Sequence, residues 1–354
     1  MKKLLFALTA AAAMVMAVNA QAADKLKACF VYVGPIGDFG YSYQHEQGRQ
    51  DVIKHFGDKV ETTYLENVSE GPDAERAFER LARQNCNLIF GTSFGFMDSE
   101  LKVAKKFPKV MFEHATGFKT AANMGIYNAR FYEGRYVMGQ IAAKMSKTGV
   151  AGYIVSFPIP EVVMGINSFM LGAQSINPDF KLKIVWVNSW FDPGKEADAA
   201  KALFDQGADI ITQHTDSTAP LQVAEERGKL GFGQSSDMIK FAPKAQLTSN
   251  TDNWGPYYIK RVQAALDGTW KPDNVWLGIK DDVVKLAPFT NMPDDVKAMA
   301  EATEKKIAGG WNPFTGPVYR QDGTEWLKDG EVSDDKTLLG MNFYVKGIDD
   351  KLPK

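Results

Sequence analysis

Short β-like runs alternate with helix-compatible segments along most of this chain, and they do so in two successive sets. The first set runs ACFVYV (28–33), KVETTYLE (59–66), NLIFGTS (87–93), KVMFEHA (109–115) and MGIYNAR (124–130). The rhythm then lapses. It restarts at Gly149 with VAGYIVSFP, KLKIVWVNSW, ADIITQHT, LGFGQSS and QLTSNT, and a helical stretch follows from Asn253 to Leu266. Strands that alternate with helices argue for an α/β chain whose parallel sheets are flanked by helices. Two such sets argue for two similar lobes. No Pro/Ser-rich tether separates them, so crossing strands at a hinge, not a floppy linker, are expected to join the lobes. The first lobe is expected at 23–128 plus about 253–275, the second at 129–252 plus about 276–354. The last 80 or so residues carry no clear period.

The N-terminus fixes the compartment. Lys2 and Lys3 precede the apolar run LLFALTAAAAMVMAV, and Ala20-Gln21-Ala22 fits a signal-peptidase site, so residues 1–22 read as a cleaved export signal and the mature chain as periplasmic. No cysteine stands at the cleavage point to suggest a lipid anchor, and no later run reaches the ~18 apolar residues of a membrane span. The 332 remaining residues are long for one core, which also favours two lobes. They carry 39 basic and 43 acidic side chains, a net −4, which gives no electrostatic reason to bind nucleic acid or anionic lipid. Two cysteines remain, Cys29 and Cys86, each at the start of an apolar run. In an oxidising compartment they read equally as a disulfide or as two buried thiols.

A glycine-rich turn follows the first strand: Gly34, Gly37 and Gly40 in VGPIGDFGYSY. The spacing is not G-x-G-x-x-G, Asp38 would repel a pyrophosphate, and no Walker-type G-K-[ST] occurs, so no nucleotide cofactor is implied. Ligands of open α/β sheets bind beyond the carboxyl ends of strands. Here glycines would admit a ligand close to the backbone, with Tyr41, Ser42 and Tyr43 facing it; the bland alternative is an ordinary βα turn. Aromatics recur at other strand ends: Phe94 and Phe96 in GTSFGFMD, Trp190 and Phe191 in NSWFDP, and Trp254, Tyr257 and Tyr258 in NTDNWGPYY. Rings from both lobes suggest the two faces of a sandwich for a flat ligand, while Tyr257, Tyr258 and Phe191 read as core. Asn167, Asp216, Asp237 and Asp252 are candidate polar contacts for ligand N–H or hydroxyl donors, whereas Asp98 and Asp192 read as helix N-caps.

Catalytic constellations are not evident. The four histidines are His45, His55, His114 and His214, with no H-E-x-x-H, no cysteine-rich metal spacing and no G-x-S-x-G. His214 lies near Asp216 and Ser217, but residues so close on one strand end point in different directions. The chain reads as a binding protein without metal or cofactor.

GDFGYSYQHEQG is similar to the signature of the basic membrane protein family, the PnrA-like nucleoside-binding proteins of bacterial ABC importers. In that signature, Asp-x-[Ser/Gly]-aromatic-[Asn/Ser] is followed by a glycine six residues on, and Asp38, Gly40, Tyr41, Ser42 and Gly48 match it. Further resemblances run through NARFYEGRYVMGQIAAKMSKTG, PEVVMGINSFMLGAQSINPDFK, NSWFDPGKEADAAKALFDQGADII, GQSSDM, LTSNTD and PFTGPVYRQDG. The resemblance implies a two-lobed type I periplasmic binding protein, monomeric, that closes on a purine base or nucleoside and delivers it to an inner-membrane permease. It implies that Ser42 stands at a base-contacting position and Trp190 at a ring-stacking one. Asp237 would face ribose hydroxyls, and Phe94 and Phe96 would cover the other ring face. Two positions depart from the family: Thr116 replaces a strand-end Asp, and Asp252 replaces a Lys. A free base, rich in N–H donors, would suit Asp252 better than it would a lysine. A sugar-binding protein of the same fold and a secreted nucleoside-processing enzyme are the alternatives, and uptake is not separable here from sensing.

Overall fold

Two six-stranded sheets organise the computed structural model, which describes residues 25–37 and 39–353. The export signal read in residues 1–22, and Asp38, lie outside the described residues. In the first half, β1 (Leu26–Val31), β2 (Val60–Leu65), β3 (Leu88–Gly91), β4 (Met111–Ala115) and β5 (Met124–Ala129) are interleaved with α1 (Tyr41–Phe56), α2 (Pro72–Arg83) and α3 (Met97–Lys106). The second half begins with α4 (Phe131–Met145) and continues through β6 (Val150–Val155), α5 (Pro160–Gln174), β7 (Lys181–Trp186) and α6 (Pro193–Asp205). It proceeds with β8 (Ile210–His214), α7 (Ala219–Glu226), β9 (Leu230–Ser235) and β10 (Gln246–Asp252). The chain then returns to the first sheet with α8 (Gly255–Leu266) and β11 (Asn274–Leu277), and crosses back with β12 (Val284–Leu286). The second half closes with α9 (Asp294–Ala308), the hairpin of β13 (Val318–Tyr319) and β14 (Glu325–Leu327), and α10 (Asp335–Leu339).

The sheets have the orders β11-β5-β4-β3-β1-β2 and β12-β10-β9-β8-β6-β7. Every pairing in them is parallel except β10 with β12. The chain passes between the sheets between Ala129 and Phe131, between Asp252 and Gly255, and between Leu277 and Val284. Because helices cover both faces, central strands are buried throughout and largely apolar: all four residues of β3 and all six of β5 are buried, Asn128 being the polar one. Pro72 opens α2, which turns Ala74, Ala77, Phe78, Leu81 and Ala82 inward. Asp192 caps α6 by accepting the Lys195 N–H at 3.0 Å, as its position suggests. Asp98 does not cap: it lies within the first turn of α3 and pairs with Lys119 at 2.6 Å.

The cysteine alternatives resolve to a bridge. Cys29 and Cys86 are both buried and form a disulfide across 57 residues, which restricts the unfolded chain and contributes about 2–4 kcal/mol.

Where the sequence loses its rhythm, α4 fills the gap. It is buried along nearly its whole length, so it shows no polar face. Two glycines bring it against α5: a Cβ at Gly139 would lie 2.0 Å from the Phe169 carbonyl oxygen, and one at Gly172 2.0 Å from that of Tyr136.

At one crossing, the Glu133 carboxylate accepts the Ile279 N–H at 2.7 Å. Burial pushes this carboxyl up to about 7, with Asp281 acting the same way and the Ile279 N–H and Arg130 opposing. Its folded-state value exceeds the usual one, so its contribution is full below about 4.5 and is lost as pH rises through about 7, a span of order 3 kcal/mol. Glu133→Gln is expected to flatten this component: between pH 5 and pH 8 the variant should lose less thermal stability than the parent. Equal losses in melts of the two proteins would refute it.

Candidate functional site

The carboxyl ends of the two sheets face one another across a cavity. From the first half come Val33 after β1, Tyr41 at the start of α1, Ser93 and Phe94 after β3, and Thr116 after β4. From the second come Ile159 and Glu161 at the start of α5, Trp190 after β7, His214 and Asp216 at the end of β8, and Gln234 on β9. This space, about 360 Å³ including its mouth, adjoins a second of about 450 Å³ that shares Phe94, Thr116 and Glu161 and is walled by Phe118, Phe131, Tyr132 and Trp276. Together they lie beyond the carboxyl ends of the strands, where open α/β sheets bind ligands.

The halves touch around this cavity. The Tyr41 N–H donates to Asp216 Oδ1 at 3.4 Å, Trp190 Nε1 donates to Glu70 Oε1 at 3.2 Å, and Gln44 Nε2 donates to the Asp252 carbonyl at 2.5 Å. Ser236 Oγ donates to the Phe39 carbonyl, and the Phe39 ring meets that of Phe241 at 5.0 Å. The glycine turn makes this approach possible: a Cβ at Gly40 would lie 2.4 Å from the Asp216 carbonyl oxygen. Gly48, the last signature residue, serves packing, since a Cβ there would lie 2.7 Å from the Tyr258 ring of α8.

Of the residues singled out from sequence, Tyr41, Phe94, Thr116, Trp190 and Asp216 line the cavity together. Thr116 is held at φ +63°, a conformation that costs a β-branched residue about 1–3 kcal/mol. Its N–H donates to the Tyr127 carbonyl at 3.0 Å and its hydroxyl to the Ala115 carbonyl at 2.7 Å.

The others stand elsewhere, for identifiable reasons. Ser42 Oγ accepts the Gly34 N–H at 3.1 Å and so ties the turn to α1. Tyr43 stacks on Phe39 at 4.6 Å, at a separate surface depression that also includes Asp237. Asp237 is exposed and accepts from Ile239 N at 3.1 Å and Gln246 Nε2 at 2.7 Å. Phe96 points into the core against Phe78, ring centroids 5.7 Å apart. Asn167 fastens the C-terminal segment, donating to the Phe343 carbonyl at 2.8 Å and accepting from Val345 N at 3.0 Å. Trp254 is buried against His45, stacked at 4.8 Å.

Asp252 is buried outside the cavity lining, with the Ser235 hydroxyl as the side-chain donor beside its carboxylate. Burial holds its carboxyl well above the usual range and the Glu161 charge pushes the same way, with the Ser235 hydroxyl and Arg135 opposing. The Tyr41 hydroxyl is buried and unpartnered.

Two lining residues carry no strong sequence signal. Glu161 looks like an ordinary first-turn acid of α5. His214 Nε2 lies 3.5 Å from Glu161 Oε1, and burial holds the imidazole below its usual value, with Arg135 acting the same way and Glu161 opposing. A neutral imidazole can donate from one nitrogen and accept at the other, and its Nδ1 has no partner here. Ser217 turns away from His214 and donates to Glu196 Oε2 at 2.6 Å, so strand β8 builds no hydrolytic trio. Among the described residues no group of three or more His, Cys, Asp or Glu is arranged to hold a metal ion.

Two parallel α/β halves with strand ends around one cavity make up the type I periplasmic binding fold. A solute-binding protein of an Aeropyrum pernix K1 ABC transporter system aligns with TM-score 0.71 at 17% identity, over 88% of this chain and 95% of that one. Residues 25–312 match the family described as ABC transporter substrate-binding protein PnrA-like, and the chain belongs to that family. A purine-binding protein of Brucella abortus (strain 2308) is 69% identical over 95% of this chain and 96% of its own. A Haloferax volcanii protein provisionally named as an ABC transporter glucose-binding protein is 37% identical over 93% of this chain and 82% of its own.

Proposed function

We propose that this protein is the periplasmic solute-binding component of an ABC importer, and that it captures a purine base or nucleoside between its two lobes for an inner-membrane permease. The observation that carries the reading is the placement of Trp190 from one half and Phe94 and Tyr41 from the other around one cavity. Rings on opposed walls suit a flat heteroaromatic ligand. The purine-binding name of the relative at 69% identity points the same way.

Polar groups behind the rings choose among flat ligands, because each unmet buried group costs about 1–3 kcal/mol. The Tyr41 hydroxyl, buried and unpartnered at the cavity with the Asp252 carboxyl near it, can donate to or accept from a base edge. On this reading a free base is preferred to its nucleoside. The lobes divide at the three chain crossings and act as one monomer, exported by the signal in residues 1–22.

Calorimetry on refolded, ligand-free protein tests this with adenine, guanine, hypoxanthine, their nucleosides and glucose. Binding of at least one base more tightly than its nucleoside is expected. Tight nucleoside binding with no measurable base binding would overturn the base preference. A response to glucose alone would favour the sugar reading that the Haloferax volcanii relative's name raises.

A further inference from the structure

Glu70, which lines neither part of the cavity, occupies the seam between the two aromatic walls. Its Oε1 accepts two hydrogen bonds, from Ser93 Oγ at 2.6 Å and from Trp190 Nε1 at 3.2 Å. Ser93 belongs to the first half and directly precedes Phe94; Trp190 belongs to the second. One carboxylate oxygen therefore ties the wall that carries Phe94 to the wall that carries Trp190. The local chain is shaped for this reach: a Cβ at Gly95 would lie 2.1 Å from Glu70 Cδ. No lysine, arginine or histidine pairs with Glu70 among the described residues, so no salt bridge competes for its carboxylate.

The other contacts of Trp190 leave its edge to be fixed by this bond. Its backbone carbonyl accepts the Asp216 N–H at 2.9 Å, and its ring meets Phe157 edge-on at 5.1 Å and His214 at 6.4 Å. The backbone is anchored and one flank is packed. The indole N–H is the remaining handle, and rotation about the side-chain torsions would change the face shown to the cavity. A charge-assisted bond to a carboxylate is stronger than one to a neutral acceptor.

We propose that Glu70 is a positioning residue for ligand capture: it latches the Trp190 indole to the Ser93–Phe94 wall as the lobes close, and so sets the width of the slot between the rings. The latch rests on the purine reading only for its choice of probe. It forms only when the halves meet, so its loss should act on the closed state and on release of ligand more than on encounter.

The test measures adenine binding and release for the parent, Glu70→Ala, Glu70→Gln and Trp190→Phe, with the exchange rate of the Trp190 indole proton followed by NMR in the protein as isolated. Glu70→Ala is expected to speed adenine release about tenfold with little change in association rate, and to leave the melting temperature of ligand-free protein unchanged. Glu70→Gln, which keeps an acceptor oxygen, should recover most of the lost residence time. In the Trp190→Phe background, which lacks the indole N–H, Glu70→Ala should have no further effect. The indole proton should exchange slowly in the parent and fast in Glu70→Ala. If the parent binds no purine, the purine reading falls, and the latch is judged on the indole proton alone. Equal exchange in parent and Glu70→Ala, or equal residence times where adenine binds, would overturn the latch.

Discussion

Replacing Trp190 by alanine is expected to weaken purine binding tenfold or more. A base stacked on an aromatic side chain gains about 1–3 kcal/mol relative to alanine, and a tenfold change in affinity is about 1.4 kcal/mol. Trp190 is half-buried at the cavity wall, with its edge on Glu70 and its flank on Phe157, so truncation removes a ring face at the periphery of the second half's core. Calorimetric titration of the variant checks this. Unchanged affinity would remove Trp190 from the site. Trp190→Phe should lose less, because it keeps a ring and gives up only the indole N–H and some area.

A second large effect is expected from a single methyl group. Gly40 precedes α1, and a Cβ at that position would meet the Asp216 carbonyl oxygen at 2.4 Å and its Cα at 2.7 Å. Asp216 belongs to β8's end in the other half, so Gly40→Ala wedges the halves apart where the Tyr41 N–H would otherwise donate to Asp216. The clash is with backbone, which cannot swing aside as a flexible side chain would. Apparent affinity falls with the fraction of molecules able to close. We expect a loss of about tenfold or more, carried mainly by faster release. Thermal melts should separate this from unfolding: the ligand-free variant should melt near the parent, while the rise in melting temperature on adding purine should shrink. An undiminished rise would show that the halves need not meet at Gly40.

This second effect starts from the stretch that was most informative in the sequence. The glycines there serve close approach of other chain segments. Gly40 admits a backbone from the opposite half, and Gly48 admits the ring of Tyr258, which sets α1 against α8. The alternation of strands and helices was legible because parallel strands covered on both faces are mostly apolar runs, as in β3. Helix α4 was not legible, because burial of residues from Phe131 to Ala142 removes the polar face that a 3.6-residue period needs. The C-terminal stretch gave no period because much of it packs as irregular chain, with Phe314, Met341, Tyr344 and Ile348 joining the core of the second half.

At the site, the sequence indicated which loops meet but not which way each side chain turns. Phe94 and Phe96 flank one residue in a short 3-10 turn, yet Phe94 faces the cavity and Phe96 faces Phe78. Ser42 and Tyr41 are neighbours at the start of α1, and their side chains diverge by the 100° step of a helix. Asp237 and Asp216 both follow strands of the second sheet, but Asp237 is taken up by its own turn and by Gln246. Glu161 was passed over because an acid in the first turn of a helix has an ordinary explanation.

The central claim is that a planar heteroaromatic ligand is held face-on between rings that belong to different lobes. A crystal structure of the protein with adenine bound tests it most directly. The account predicts the base lying between Trp190 and Phe94, with its edge toward the Tyr41 hydroxyl. A base bound on one lobe alone, with Trp190 and Phe94 touching neither face of it, would contradict the account.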